Sequence, residues 1–165
     1  MKIEMTNREL IDFYDAMKQI GETEKNNKWF TYAVTLNEEN LKSKVVAFLK
    51  CAKPSDEYKS YEATREKLIH KYAECDEHGN IVVDNTSKLI KIQDKYVNEA
   101  MEEFNKLDKA NIDILSQRNE ELAEYKLLSD KKIKIDVEQV ALEHFPNNIN
   151  KIMMKALKPL IAIKE

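Results

Sequence analysis

The sequence predicts an α+β fold, a mostly helical single domain that spans residues 1–165 and carries a small sheet. In most segments apolar residues recur at spacings of three and four, which is the period of a helix with one buried face. Shorter runs alternate apolar and polar residues or are rich in β-branched residues, and these predict a few strands. Only two glycines and three prolines occur in the chain, which argues against a loop-rich β architecture and against a glycine-rich phosphate loop.

Residues 54–107 predict a long antiparallel helix pair joined by a short β-hairpin, and the rest of the fold is organised around this stretch. The first helix begins after Ser55, an N-cap that follows a proline and precedes two acidic residues. It should end near Asp76, because Gly79 supplies the positive φ of a C-terminal turn. Two β-branched runs around turn residues predict the hairpin at residues 81–92. The two helices are expected to join their apolar faces.

The chain before this stretch predicts two strands and two helices in alternation. Residues 1–5 alternate apolar and charged side chains, which is typical of an edge strand. Thr6 and Glu9 form a capping box, so a helix is predicted from there to Gly21. Residues 29–36 alternate most clearly and predict the best strand of the chain. A helix is predicted over residues 38–52.

The chain after residue 107 predicts strands at 111–115 and 131–136 on either side of a charged helix. Because that helix carries few apolar residues, it is interpreted as an excursion from the sheet at about residues 116–130. A short helix is predicted after Asp136, and a last helix is predicted from Asn147 or Asn148. The apolar tail at residues 160–163 is expected to dock as a strand.

Charge and cysteine content exclude several classes of function and site. The formal net charge is −3, so no global field recruits nucleic acid or an anionic membrane. Two cysteines do not make a disulfide framework, which favours a reducing cytoplasm. No apolar run approaches membrane-spanning length, and residues 1–20 lack the apolar core of a signal peptide. We therefore expect action in a cytoplasm, or on a particle assembled there, without membrane contact.

Two motifs carry a resemblance: T-N-x-E-L at residues 6–10 and Y-x3-R-x2-L-x2-K-Y-A-E-x-D-E-x-G-N at residues 61–80. In these motifs the chain resembles an uncharacterised family of small proteins encoded by phages and prophages of Firmicutes. The resemblance covers most of the chain up to residue 114 and resumes weakly at residue 133. It implies no activity and no functional residues. It implies a phage setting, either virion assembly or interference with host defence, in the host cytoplasm or on the virion.

Cys75, His70 and His78 form the one sequence cluster with metal-ligating residue types. A zinc site needs about four well-placed nitrogen or sulfur donors, and the cluster offers three. The acidic residues that follow Cys75 would raise a thiol pKa rather than lower it. A helix C-terminus with polar turn residues explains the cluster better, so neither a cofactor nor catalysis is expected. A small metal-dependent or thiol-dependent enzyme is the alternative.

Three groups of residues are candidates for partner binding: Arg65; the apolar stripe Leu122, Tyr125 and Leu128; and the basic face Lys151, Lys155 and Lys158. The guanidinium of Arg65 is expected to be partly buried, where it either fixes packing or anchors a partner's carboxylate or phosphate. The apolar stripe docks either on its own core or on a partner helix. The basic face is a weak signal for nucleic-acid binding, because no exposed aromatic residues interleave with the lysines.

The sequence thus favours a non-catalytic, phage-encoded module that binds another protein. That partner is a host defence effector, which the module inhibits, or a virion component, whose assembly it assists. Weak nucleic-acid binding is a further alternative, and homo-oligomerisation is left open.

Overall fold

The computed structural model describes residues 1–21, 27–147 and 149–162. The predicted α+β class is confirmed, since the chain is mostly helical with one small antiparallel sheet. Two compact units are present: unit 1 comprises Met1–Lys53 and Ala123–Glu165, and unit 2 comprises Pro54–Leu122. The extent of a single domain stays a prediction.

The strands and helices of the described residues are, in chain order, β1 (Lys2–Thr6), α1 (Asn7–Gly21), α2 (Lys28–Cys51), α3 (Asp56–Tyr72), α4 (Val97–Ala110), α5 (Ile112–Asp130), β2 (Lys132–Asp136) and α6 (Lys151–Ala156). Short 3-10 turns lie at Asp94–Tyr96, Leu142–His144 and Lys158–Leu160. The boundary between the units falls within α5. No helix among the described residues combines the length and the apolar character that crossing a membrane requires.

In unit 1 the predicted first strand and capping box are confirmed. The Thr6 amide donates to Glu9 Oε2 over 2.8 Å, and the Glu9 amide donates to Thr6 Oγ1 over 3.2 Å, so both orphan donors at the start of α1 are satisfied. The strand predicted at residues 131–136 is also confirmed as β2, and it pairs with β1 in antiparallel register. The core of unit 1 is built from buried residues of both strands, α1, α2 and the C-terminal segment.

The strand predicted at residues 29–36 is wrong, because these residues form the first turns of α2. Asn27 caps this helix, and its side chain accepts a hydrogen bond from the Trp29 amide over 2.9 Å. The residues that α2 buries are Phe30, Ala33, Val34, Asn37, Leu41, Val45 and Phe48. Their spacing is that of a helix, and it continues the pattern that the sequence assigned only to residues 38–52.

Unit 2 confirms the helix pair joined by a short hairpin. Ser55 caps α3, with its hydroxyl accepting from the Tyr58 amide over 3.1 Å. The hydroxyl of Tyr61 donates to Asp108 over 2.8 Å, and the hydroxyl of Tyr72 donates to Glu99 over 2.8 Å. The first bond joins the start of α3 to the end of α4, and the second joins the end of α3 to the start of α4, so the two helices are antiparallel.

The hairpin begins earlier than the sequence predicted, because α3 ends at Tyr72 rather than near residue 76. Isolated bridges join Ala73 to Ile92, Cys75 to Ile81 and Val83 to Ile90, and the first of these takes the chain directly out of the helix. Gly79 has the expected positive φ, at 81°. Its turn is closed by Asp76, whose carboxylate accepts from the amides of residues 78 and 80 over 2.8 Å each.

The strand predicted at residues 111–115 is wrong, because α5 begins at Ile112. Asn111 ends α4 instead, and its side chain donates to the Leu107 carbonyl over 2.8 Å. The charged helix is confirmed within α5, but a strand flanks it on one side only. Its interpretation as an excursion from the sheet stays a prediction.

The C-terminal segment follows the prediction in part. No α-helix lies between Asp136, which ends β2, and Asn147; the described turn at Leu142–His144 is 3-10. The last helix starts at Lys151, capped by Asn150, whose side chain accepts from the Met153 amide over 2.9 Å. Among the residues predicted to start it, Asn147 is a turn residue and Asn148 lies outside the described residues. The tail docks through a parallel bridge between Val140 and Ile161, and residue 163 lies outside the described part.

Candidate functional site: a groove along the edge of β1

A groove of about 1230 Å³ runs along β1 in unit 1, and it is called the β1 groove below. Its walls are β1, the exposed face of α1, and α6 with the turn that follows it. The apolar residues that line it are Met1, Ile3, Met5, Ala16, Ile152, Met153, Ala156, Pro159 and Ile161. Met1 and Ile152 are 70% and 84% exposed, so large apolar side chains stand open to solvent at this site. A groove of this kind suits an apolar segment of another polypeptide.

The backbone of β1 has one edge bonded to β2 and one edge that faces the groove. Met1 and Val137 exchange two hydrogen bonds, of 2.7 and 2.8 Å, which makes them a hydrogen-bonded pair of the antiparallel ladder. Because such pairs alternate, the N–H and C=O groups of Ile3 also point to β2, and those of Lys2 and Glu4 point away from it. Within the described ranges, no third strand covers these outward groups.

The side chains of β1 divide by face. Ile3 and Met5 pack against the core of unit 1, whereas Lys2 and Glu4 are exposed on the outer face. In the register with β2, Lys2 lies opposite Asp136 and Glu4 lies opposite Lys134. The outer face of the sheet therefore pairs opposite charges across the two strands.

The rim of the β1 groove carries charges of both signs. The acidic residues are Glu4, Glu9, Asp12 and Asp15, and the basic residues are Lys2, Lys155 and Lys158. Hydrogen bonds from the amide and hydroxyl of Thr6 are the main cause that lowers the pKa of Glu9, and the nearby charges of Lys132 and Lys155 lower it further. Because acidic and basic residues share the rim, the groove is not an anion site.

A buried asparagine that the sequence pattern did not indicate holds the chain that follows β2. Asn37 is fully buried in α2, and its amide nitrogen donates to the Glu138 carbonyl over 2.8 Å. Its carbonyl oxygen accepts from the Glu138 amide over 3.0 Å. Glu138 follows Val137, the residue bonded to Met1, so this clamp fixes the end of the ladder. The partner of Asn37 lies 101 positions away, which no local pattern can reveal.

The basic face predicted from the sequence is divided by the structure. Lys155 and Lys158 line the β1 groove, whereas Lys151 is exposed at the start of α6 and does not. The acidic residues of the same rim offset the two groove lysines. This mixed field does not favour a phosphate backbone.

Arg65 is exposed on α3, so the prediction of a partly buried guanidinium is wrong. The residue follows Tyr61 by one helical turn, and Tyr61 holds the buried position on that face. The guanidinium lies 5.9 Å from the centre of the Phe104 ring, a cation–π contact. It also lines a smaller cavity of about 590 Å³ in unit 2, beside Tyr61, Asp108 and Glu62. Because the carboxylates of Glu62 and Asp108 share this cavity, a partner's carboxylate or phosphate would be repelled there.

The apolar stripe of α5 is only partly open. Tyr125 is half-buried, and its ring stacks on that of Phe48, with 4.9 Å between the ring centres. The Leu128 carbonyl accepts a hydrogen bond from the Asn7 side chain over 2.8 Å. Leu122, in unit 2, is 45% exposed. These contacts favour docking of Tyr125 and Leu128 on the protein's own core, and partner binding by the stripe stays a prediction.

The three residues of the alternative catalytic cluster lie on different elements: His70 is in α3, Cys75 is in a hairpin bridge and His78 is in a turn. Cys75 is exposed beside the hairpin, and His70 lies near Glu66 on α3, with 4.0 Å between Nε2 and Oε1. His78 belongs to the Asp76 turn. No group of three His, Cys, Asp or Glu side chains in the described part of the chain is arranged to hold a metal ion.

No protein-family model, curated protein or solved structure matches this chain. The resemblance to a phage family therefore rests on the motifs quoted above alone.

Proposed function

We propose that this protein is a non-catalytic module that binds another protein by adding one of that protein's strands to the free edge of β1. The observation that carries the proposal is the outward-facing backbone of Lys2 and Glu4 beside a large groove with apolar walls. In strand addition the backbone supplies hydrogen bonds, and pockets for alternate side chains supply specificity. The β1 groove offers both features.

The charges of β1 define the chemistry of the added strand. A strand that runs antiparallel to β1 places an acidic residue opposite Lys2 and a basic residue opposite Glu4. The residues between them face the apolar side of the groove, where Met1 and Ile3 lie. The partner segment therefore reads basic, apolar, acidic, apolar from its N-terminus.

The biological setting that we propose is the one that the family resemblance implies. The module is phage-encoded, acts in the host cytoplasm or on the virion, and either inhibits a host defence effector or assists virion assembly. Co-purification from infected cells tests this setting. Recovery of a defence effector supports inhibition, and recovery of a virion component supports assembly. Recovery of neither a defence effector nor a virion component would contradict the phage setting. It would not bear on strand addition, which is tested separately.

A synthetic peptide tests the binding mode. Its central residues are Lys-Val-Glu-Val, and its affinity is measured by fluorescence anisotropy with the full-length protein. A second peptide carries N-methyl groups on the backbone amides that would face β1, which removes the donors and keeps the side chains. We expect the first peptide to bind and the methylated peptide to lose binding at least tenfold. Equal affinities for the two peptides, or no binding of either, would contradict strand addition.

A protein variant provides the matched test from the other side. Glu4→Pro removes an outward-facing N–H and leaves the ladder to β2 intact, because proline is tolerated where an edge strand faces solvent. Glu4→Gln removes the charge and keeps the N–H. We expect peptide binding to be abolished by Glu4→Pro and only weakened by Glu4→Gln. Equal loss in both variants would show that the side chain, not the backbone edge, binds the peptide.

A further inference from the structure

The sequence that best complements the edge of β1 is that of β1 itself. The inferred partner pattern of basic, apolar, acidic, apolar is the pattern of residues 2–5, which read Lys-Ile-Glu-Met. We propose that a second copy of this chain binds the β1 edge, with the two β1 strands antiparallel and Lys2 of each copy opposite Glu4 of the other. This inference rests on the proposed function, since it names the occupant of the same site.

The backbone limits which registers are available. The outward-facing groups belong to the even-numbered residues of β1, so even-numbered residues must lie opposite each other for hydrogen bonds to form. A two-fold axis at Lys2 brings the two lysines together, and an axis at Glu4 brings the two glutamates together. An axis at Ile3 instead pairs Lys2 with Glu4 twice, and each pair exchanges two hydrogen bonds. Of these three registers, only the one centred on Ile3 avoids directly opposed like charges. An axis at Met5 would pair Glu4 with Thr6, whose amide is already bonded to Glu9.

The charges then alternate across the whole joined sheet. Asp136 and Lys134 of β2 already lie opposite Lys2 and Glu4 of β1. In the dimer, one row reads Asp136, Lys2, then Glu4 and Lys134 of the second copy, with signs that alternate at every step. The two-fold axis generates the same row in reverse order. A lysine on an edge strand usually keeps copies apart, but here an acidic residue two positions later removes that repulsion.

The apolar side of the same strands is also complementary. The axis at Ile3 places Ile3 opposite its own copy and Met1 opposite Met5, all on the side that faces the core and the groove. The exposed Met1 side chain is thereby covered. Because the contact uses the same patch on both copies, it closes at two subunits and does not propagate into a fibre.

Two variants and their mixture test the inference by sedimentation equilibrium. In Lys2→Glu alone, both cross-strand pairs become acid against acid, and in Glu4→Lys alone both become base against base. In the mixture, each mixed dimer has two acid–base pairs. The mismatch of each variant with Asp136 or Lys134 within its own chain is present both in that variant alone and in the mixture, so it cancels when these samples are compared. We expect a parent dimer, dissociation constants at least tenfold higher for each variant alone, and recovery in the mixture to within about threefold of the parent.

The controls make the same charge changes in the other unit of the chain. Lys67→Glu and Glu102→Lys alter exposed helix positions of unit 2 and are expected to keep the parent's dissociation constant. A parent that stays monomeric at millimolar concentration overturns the second copy as occupant. If that monomer still binds the Lys-Val-Glu-Val peptide, the proposed function stands. If the parent dimerises but neither variant weakens the dimer, or the mixture does not recover, the proposed register is wrong.

Discussion

Replacing Asn37 by leucine should destabilise the protein strongly, although the two side chains have similar volumes. The substitution removes both bonds between the side chain and the Glu138 backbone, which measure 2.8 and 3.0 Å. The third bond, from the side chain to the Ala33 carbonyl of its own helix, leaves an acceptor that α2 already uses. An unsatisfied buried backbone group costs about 1–3 kcal/mol. The Glu138 groups are partly buried, so the lower half of that range applies to each, and we expect a loss of about 2–4 kcal/mol.

Urea unfolding followed by circular dichroism measures this loss. The midpoint should fall while the slope stays unchanged, because the extent of exposed surface on unfolding is the same. Asn40→Leu is the matched control, since residue 40 lies on the exposed face of α2 and should change stability by less than about 0.5 kcal/mol. If Asn37→Leu and Asn40→Leu have equal stabilities, the clamp between α2 and the chain after β2 contributes nothing, and our account of how the β1 edge is held is wrong.

Three further predictions concern individual side chains. Burial and the bond to Asp108 raise the pKa of Tyr61 to about 12. The stabilisation from this shift is therefore complete below the ordinary phenol pKa of 10.0 and is lost as the pH rises towards 12. A Tyr61→Phe variant whose unfolding free energy changes with pH as the parent's does would contradict this. Tyr125→Leu should cost about 1 kcal/mol through loss of its ring stacking, and an equal effect of Leu127→Ala at a 76% exposed position would refute the stacking argument. Gly79→Ala should cost about 1 kcal/mol in thermal unfolding because of its positive φ, although no atom lies within 4 Å to clash; unchanged stability would show that the turn relaxes freely.

Local signals in the sequence determined much of the fold. The capping box at Thr6 and Glu9, the N-cap at Ser55 and the positive φ of Gly79 each depend on residues within a few positions, and each is confirmed. The apolar residues at 29–36 fit both the alternation of a strand and the three-to-four-residue spacing of a helix. The helical reading is correct because burial of Ala33 and Asn37 fits a helix and not an alternating strand.

The candidate site depends on contacts that are distant in sequence. The alternation of residues 1–5 predicted a strand, but it could not show that the strand pairs with β2, about 130 residues later, or which of its edges stays open. The sequence shows that Lys155 and Lys158 share a helix face, but the acidic residues that share their groove come from β1 and α1. Arg65 shares a helix face with Tyr61, one turn away, so residue spacing alone could not show that Tyr61 is buried and Arg65 exposed.

Backbone amide exchange at Glu4 tests the central claim, that the open edge of β1 binds another strand, most directly. The Lys2→Glu chain is labelled with ¹⁵N. Its amide exchange is measured by NMR in two samples, the labelled chain by itself and the labelled chain mixed with unlabelled Glu4→Lys chain. The amides of Ile3 and Met5 face β2 and serve as internal references, with equal protection in both samples. Our account predicts that the Glu4 amide exchanges quickly in the labelled chain alone and at least tenfold more slowly in the mixture. Unchanged exchange at Glu4 in a mixture that forms dimers would show that the copies meet elsewhere and that the β1 edge does not bind the second copy.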